Sequence, residues 1–220
     1  MKSFVITIMD MPESFRAAEK CIQSGAGYGI EIEMFSAITP KDDPTQIMQD
    51  AGIETHRFIH DGKYSRTTRC MSAFLSHYSL WKKCVEMDEV VLIFEHDAVV
   101  EGNIPTHTLD YVSKPMLISF GAPSYGQFKT PPTIGLNNLV SKEYLPGAHS
   151  YMVNPRAAKT LINRSKSSAG PTDTFINKNT FNFLYEWSPF PVVAKDTFTT
   201  IQRREGCAAK HSFGASYDII

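Results

Sequence analysis

No apolar run in this sequence approaches the roughly 20 residues that a membrane-spanning helix requires, so a transmembrane segment is not expected. The first apolar stretch, Phe4 to Ile8, is far too short for a secretory core region and is followed at once by Asp10, Pro12 and Glu13. Cysteine is scarce, and Cys21, Cys70, Cys84 and Cys207 show neither C-x-x-C nor any other metal-ligand spacing. With no export signal, reduced thiols in a cytoplasm are expected, or in a host cytoplasm if the source is viral. Net charge is also lacking. A formal −1, from 22 Lys and Arg against 23 Asp and Glu, argues against wrapping nucleic acid by bulk charge, although a local basic groove stays open. There is no internal repeat and no low-complexity segment.

What is present fits one compact domain of 220 residues, with 195–220 as a polar tail or lid. Lys2 to Ile8 is rich in β-branched residues and reads as a first strand. Pro12 can start a helix in which Phe15, Ala18 and Ile22 fall at helical spacing before Gly25-Ala26-Gly27. Ile30 to Phe35 is a second strand, and a turn-rich stretch from Thr39 to Pro44 feeds a short helix through Met48 to Ala51. Thr67 to Met87 predicts a long amphipathic helix or helix pair, with Met71, Phe74, Leu75, Tyr78 and Trp81 as its apolar stripe. Val90-Val91-Leu92-Ile93-Phe94, bounded by charges, has the pattern of a buried central strand.

Met116 to Phe120 is a weaker strand, and Gly121 to Pro146 reads as a long loop. His149 to Asn154 is another strand, with a helix starting at Pro155 and a second running from Pro171 through Phe183. Val192-Val193 is extended, and no helix is expected after Lys195. Strands and helices alternate throughout. That pattern predicts an α/β fold with a mostly parallel, doubly wound sheet, helices on both faces and a ligand site at the C-terminal strand ends.

The buried strand ends in Glu95-His96-Asp97. Carboxylates one and three residues past a strand can converge on one ion, and oxygen ligands suit Mn²⁺ or Mg²⁺. Such an ion can neutralise a diphosphate as it leaves. Acidic residues at strand ends are also common as solvated turns, and the motif alone does not separate the two.

The stretch Ser72-Ala73-Phe74-Leu75-Ser76-His77-Tyr78-Ser79-Leu80-Trp81, followed by Val91-Leu92-Ile93-Phe94-Glu95-His96-Asp97-Ala98, resembles glycosyltransferase family 25, whose members carry an L-S-H-x-x-L-W helix and then an I-L-E-D-D strand end. Val5-Ile6-Thr7-Ile8 with Arg16 is similar to the family's opening strand and donor-side arginine. Glu33 to Ile38 resembles its F-x-A-I segment, Pro146 to Val153 with Ala157 to Leu161 its G-x-x-A-Y-L-I…G-A-x-x-L pattern, and Pro171-Thr172-Asp173 its P-x-D. The match runs in order from residue 1 to about 193.

The resemblance implies a single GT-A-like domain that moves a sugar from a nucleotide-sugar donor to a hydroxyl acceptor, by inverting chemistry and with a divalent metal. Glu95 and Asp97 would hold the metal. Thr7, Arg16, Arg66, Arg69, Ser76, His77, Glu95 and His96 would bind the donor, and Tyr125, His149 and Tyr151 the acceptor. Asp173 is either a helix N-cap or the base that takes the acceptor's proton. His77 without the resemblance is an ordinary helix-face histidine, and Trp81 is expected in the core.

Two departures stand out: His96 replaces the family's middle aspartate, and no long basic, aromatic C-terminal extension follows. The first leaves open that His96 is a nitrogen ligand, or that it spoils the metal site and leaves an inactive sugar- or partner-binding homologue. The second puts a lipid-linked acceptor in doubt. Arg57, Lys63, Arg66, Arg69, Lys82 and Lys83, with Arg203-Arg204 and Lys210, would suit a polyanionic acceptor such as DNA carrying hydroxymethylated bases. A glycan is the other acceptor class.

Overall fold

A computed structural model describes residues 1–60, 66–108, 112–123, 127–195, 198–201 and 218–219. Tyr125, Lys63, Arg203, Arg204 and Lys210 lie outside the described residues. A seven-stranded mixed sheet organises the chain, in the order β2-β1-β3-β7-β5-β8-β6. Its strands are β1 (Lys2–Thr7), β2 (Glu33–Ser36), β3 (Val91–Glu95), β5 (Leu117–Ser119), β6 (Gly135–Asn138), β7 (Ser150–Val153) and β8 (Leu184–Ser188). β4 (Ala98–Val100) leaves the main sheet and pairs antiparallel with β9 (Val192–Ala194). β10 (Phe198–Thr199) pairs with β11 (Asp218–Ile219).

Five of the seven strands point the same way. β1 is parallel to β2 and β3, β5 is parallel to β8, and β7 and β6 run against their neighbours. The mostly parallel α/β sheet is therefore present, with β7 inserted antiparallel at its centre. All four residues of β7 are buried, as a strand covered on both faces requires.

The alternation of β3 divides the core in two. Val91 and Ile93 pack with Phe74, Leu75 and Trp81 of α4 (Thr67–Met87) and with Ala158 and Leu161 of α5 (Pro155–Ser168). Leu92 and Phe94 pack on the other face with Ala18 and Cys21 of α1 (Pro12–Ala26). Helices thus cover both faces, as the alternation predicted. Pro12 occupies the first turn of α1, where its missing N–H costs nothing. α4 ends on Asp88, a non-glycine residue in the left-handed region at φ 50°. Short helices α2 (Pro44–Asp50) and α3 (His56–His60) pack beside α4. No helix among the described residues is long and apolar enough to cross a membrane.

Two expectations are corrected. The stretch from Gly121 to Pro146 contains β6, an edge strand paired antiparallel with β8. The helix expected from Pro171 through Phe183 is only one turn, α6 (Thr172–Phe175). Asn177 ends it: its side chain donates to the Thr174 and Phe175 carbonyls and accepts from Thr180 N. Such bonds offer the backbone an alternative to the helical ladder.

Candidate active site

From β1 the chain passes through α1 to β2 on one side, then returns through α4 to β3 on the other. Because α1 and α4 lie on opposite faces, the C-terminal ends of β1 and β3 form the switch point of the sheet, where folds of this class open a crevice. Glu95-His96-Asp97 leaves β3 at that point. The register sets Glu95 beside Ile6, and Glu95 N donates to the His149 carbonyl at 3.0 Å. At the other end of the turn, Lys195 N donates to the Asp97 carbonyl at 2.9 Å. Both ends of the acidic turn are clamped by backbone.

Glu95 faces α4. Its Oε1 lies 3.1 Å from His77 Nε2, His77 Nδ1 lies 3.0 Å from the Tyr151 hydroxyl, and Trp81 Nε1 donates to that hydroxyl at 2.8 Å. The Glu95 side chain keeps 35% of its exposure, whereas His77 keeps 1%. Burial opposes ionisation of Glu95, but the His77 hydrogen bond and the electrostatic influence of the neighbouring His77, His149 and His96 rings outweigh that and hold the carboxyl below its ordinary range. Burial drives the Tyr151 phenol well above its usual value, and the Glu95 charge adds to this against the Trp81 bond, so Tyr151 stays protonated.

His96 and Asp97 turn toward α1. His96 Nδ1 lies 2.9 Å from Ser14 Oγ, and the ring stacks on Phe198 at 5.2 Å and 26°. Asp97 has one carboxylate oxygen buried, and its charge adds to burial in pushing the Cys21 thiol up to about 12.

The other expected residues divide clearly. Thr7 is buried and turns its hydroxyl back to Val5 O at 3.1 Å, while its own carbonyl accepts from Ala37 N. Ser76 is buried too, donating to Ser72 O and accepting from Ile38 N, so it anchors the segment after β2. Arg16 is exposed on α1 and pairs with Glu13 at 3.3 Å. Arg66 N and Arg69 Nη1 hold the carbonyls of Ile201 and Thr200, tying the C-terminal segment to the start of α4. Burial lowers the Arg69 pKa, and the neighbouring Arg66 charge adds to it. Lys82 and Lys83 sit ~24 Å farther along α4, so the basic residues of this segment do not form one cluster.

α5 runs back from the far end of β7 toward the crevice end, which puts Asp173 at the same end of the sheet as Glu95. Asp173 Oδ1 accepts from Thr174 N at 2.9 Å. Tyr151, expected on the acceptor side, is instead fully buried, because β7 is covered on both faces. His149 is 3% exposed, with its ring packed against Gly121 and Gly147, so it supports the site from beneath rather than lining it.

Sequence reasoning missed Ser14, Phe198 and the polar role of Trp81. Only Trp81 carried a signal: His77 and Trp81 are four residues apart, hence on one helix face. For a metal, Glu95 and Asp97 offer the oxygen donors that suit a hard cation. Among the described residues no group of three or more His, Cys, Asp or Glu side chains is arranged to hold one. The fit is therefore that of an incomplete set, one that a ligand's own oxygens would have to complete.

One solved structure, a glycosyltransferase involved in the glycosylation of the major capsid of PBCV-1, aligns with TM-score 0.43 and 8% identity over 89% of this chain and 93% of that one. No curated protein matches the chain. The model of glycosyltransferase family 25 (LPS biosynthesis protein) matches residues 1–176, which include β1, α1, the whole of α4, the acidic turn and α5. The chain belongs to glycosyltransferase family 25.

Proposed function

We propose that this glycosyltransferase takes its sugar from a nucleoside diphosphate donor bound in the crevice between the ends of β1 and β3, and passes it to a hydroxyl acceptor. One observation carries the reading: an ionised Glu95 carboxylate, held by His77 and partly open to solvent, at the switch point of the sheet with Asp97 two residues on. The first turn of α1 reaches the acidic turn through the buried Ser14, whose hydroxyl lies 2.9 Å from His96 Nδ1, and a helix N-terminus favours an anionic group.

In the reaction, the acceptor oxygen attacks the anomeric carbon as the bond to the diphosphate breaks on the opposite face, inverting that carbon. Asp173, at the same end of the sheet and partly exposed, is the residue we assign to take the acceptor's proton. Mn²⁺ or Mg²⁺ would be held by Glu95 and Asp97 together with the donor's diphosphate, and would supply neutralisation of the leaving group's charge. A glycan hydroxyl is the acceptor class we favour. A nucleic-acid acceptor has one observation in its support, the adjacent Arg66 and Arg69 at the start of α4.

The test is a panel of nucleotide sugars, with and without Mn²⁺, read by thermal shift and by slow donor hydrolysis. A donor at a hundredfold excess over its Kd should stabilise the fold by about 2.7 kcal/mol. Absence of both stabilisation and hydrolysis across the panel would reject the reading.

A further inference from the structure

We infer that Trp81 and Tyr151 are positioning residues, which fix the tautomer of His77 so that its Nε2–H is always given to Glu95. The part of this that concerns turnover rests on the proposed function, since it takes Glu95 to be a donor-site carboxylate. The part that concerns the tautomer does not.

The argument is a count of protons. An indole N–H only donates, so the 2.8 Å contact from Trp81 Nε1 uses a lone pair of the Tyr151 oxygen. A phenol has one proton to give, and His77 Nδ1 stands 3.0 Å away. An Nδ1 that accepts carries no proton, so the proton of the neutral imidazole sits on Nε2, 3.1 Å from Glu95 Oε1. Three donors thus meet three acceptors in one direction: Trp81 to Tyr151, Tyr151 to His77, His77 to Glu95.

The opposite tautomer fails at both ends of the ring. It would set two N–H groups on the phenol oxygen, strand the phenol's own proton, and aim the Nε2 lone pair at a carboxylate. Water cannot repair this, because Trp81 and Tyr151 are 0% exposed and His77 is 1% exposed. The stacked His77 and Tyr151 rings, 5.7 Å apart at 25°, leave the imidazole little freedom to flip. The outcome for Glu95 is that Oε1 is held from behind, on a side chain that keeps 35% of its exposure. That is the role a buried orienting partner plays behind a ligating carboxylate or histidine.

The tautomer is read directly by long-range ¹H–¹⁵N correlation of the seven histidines in the labelled full chain at neutral pH, with His77 assigned through His77→Gln. The expected pattern is a protonated Nε2 and an unprotonated Nδ1. A ring protonated on Nδ1, or on both nitrogens, overturns the inference without any variant having to fold. Tyr151→Phe removes one oxygen and keeps the ring. It should give a mixed tautomer and lower kcat about 10- to 100-fold, with donor KM within about twofold. An unchanged tautomer in Tyr151→Phe overturns the inference, and a shifted tautomer with unchanged kcat overturns the positioning role. If the wild-type chain turns over no nucleotide sugar, the proposed function fails while the spectrum still decides the tautomer.

Discussion

The Ser14 hydroxyl stands 2.9 Å from His96 Nδ1 and accepts the Ile8 N–H at 2.9 Å. One buried oxygen therefore joins the end of β1, the first turn of α1 and the middle of the acidic turn. Phe198 covers the ring of the same histidine. A histidine in this position is a strut between elements, which gives a structural reason for its presence between two carboxylates.

The strut predicts that Ser14→Ala lowers stability by about 1–2 kcal/mol, because Ile8 N and His96 both lose a buried partner. Urea unfolding would measure it. His96→Asp should lose similar stability, yet keep or improve Mn²⁺ affinity, since a carboxylate adds oxygen donors. A loss of metal affinity of more than about tenfold, ~1.4 kcal/mol, would instead make His96 a ligand.

Asp97→Asn should fold normally and lose transfer by about a hundredfold or more. The substitution keeps the shape of the side chain and the backbone clamp from Lys195 N, and removes only the charge. Wild-type turnover in a folded Asp97→Asn variant, with Mn²⁺ or Mg²⁺ supplied, would remove Asp97 from the site.

Gly147→Ala tests the support under Glu95. A methyl group at Gly147 would overlap the His149 ring, and one at Gly121 would come within 2.5 Å of its Nε2. Displacing a buried ring costs about 1–3 kcal/mol. Because the His149 carbonyl receives the Glu95 N–H, kcat should fall along with the melting temperature. The matched control is Gly29→Ala, at φ 72° with nothing within 4 Å of its added methyl, where any loss is backbone strain far from the acidic turn. Equal kcat losses in the two variants would sever His149 from catalysis.

How much was legible follows from where the information lies. α4 was readable at both ends, because its stripe from Met71 to Trp81 is continuous and its C-terminal stop is the charged Asp88-Glu89. The core of β3 was readable because five apolar residues stand between charges. β6, with the sequence Gly-Leu-Asn-Asn, has almost no strand propensity of its own and exists through its pairing with β8. β8 was hidden by its partner's needs: Glu186 is buried mid-strand, where its carboxylate accepts from Val140 N, Ser141 N and Ser141 Oγ. In the site, the acidic motif was local and could be read. The groups that hold it come from α1, α4, β7 and the C-terminal segment, and only tertiary structure brings those together.

The arginines at the start of α4 offer a test between the two acceptor classes. Arg66 and Arg69 lie together there, and their bonds to Ile201 and Thr200 run through one backbone N–H and one guanidinium nitrogen. If a polyanion is the acceptor, its affinity should fall steeply with salt, because each neutralised phosphate releases condensed counterions. Charge reversal at both arginines should then raise the acceptor KM more than it lowers kcat, as expected of side chains that bind ground and transition states alike. If the arginines instead serve the donor diphosphate, the same variant should raise the donor KM and leave the acceptor KM unchanged. The bond from Arg69 to Thr200 adds a control: Arg69→Gln can keep a donor for that carbonyl while losing the charge. A defect shared by Arg69→Glu and Arg69→Gln is electrostatic, and one confined to Arg69→Glu comes from releasing the C-terminal segment. Acceptor binding that is indifferent to salt in the wild-type protein would remove nucleic acid and leave a neutral glycan hydroxyl as the acceptor.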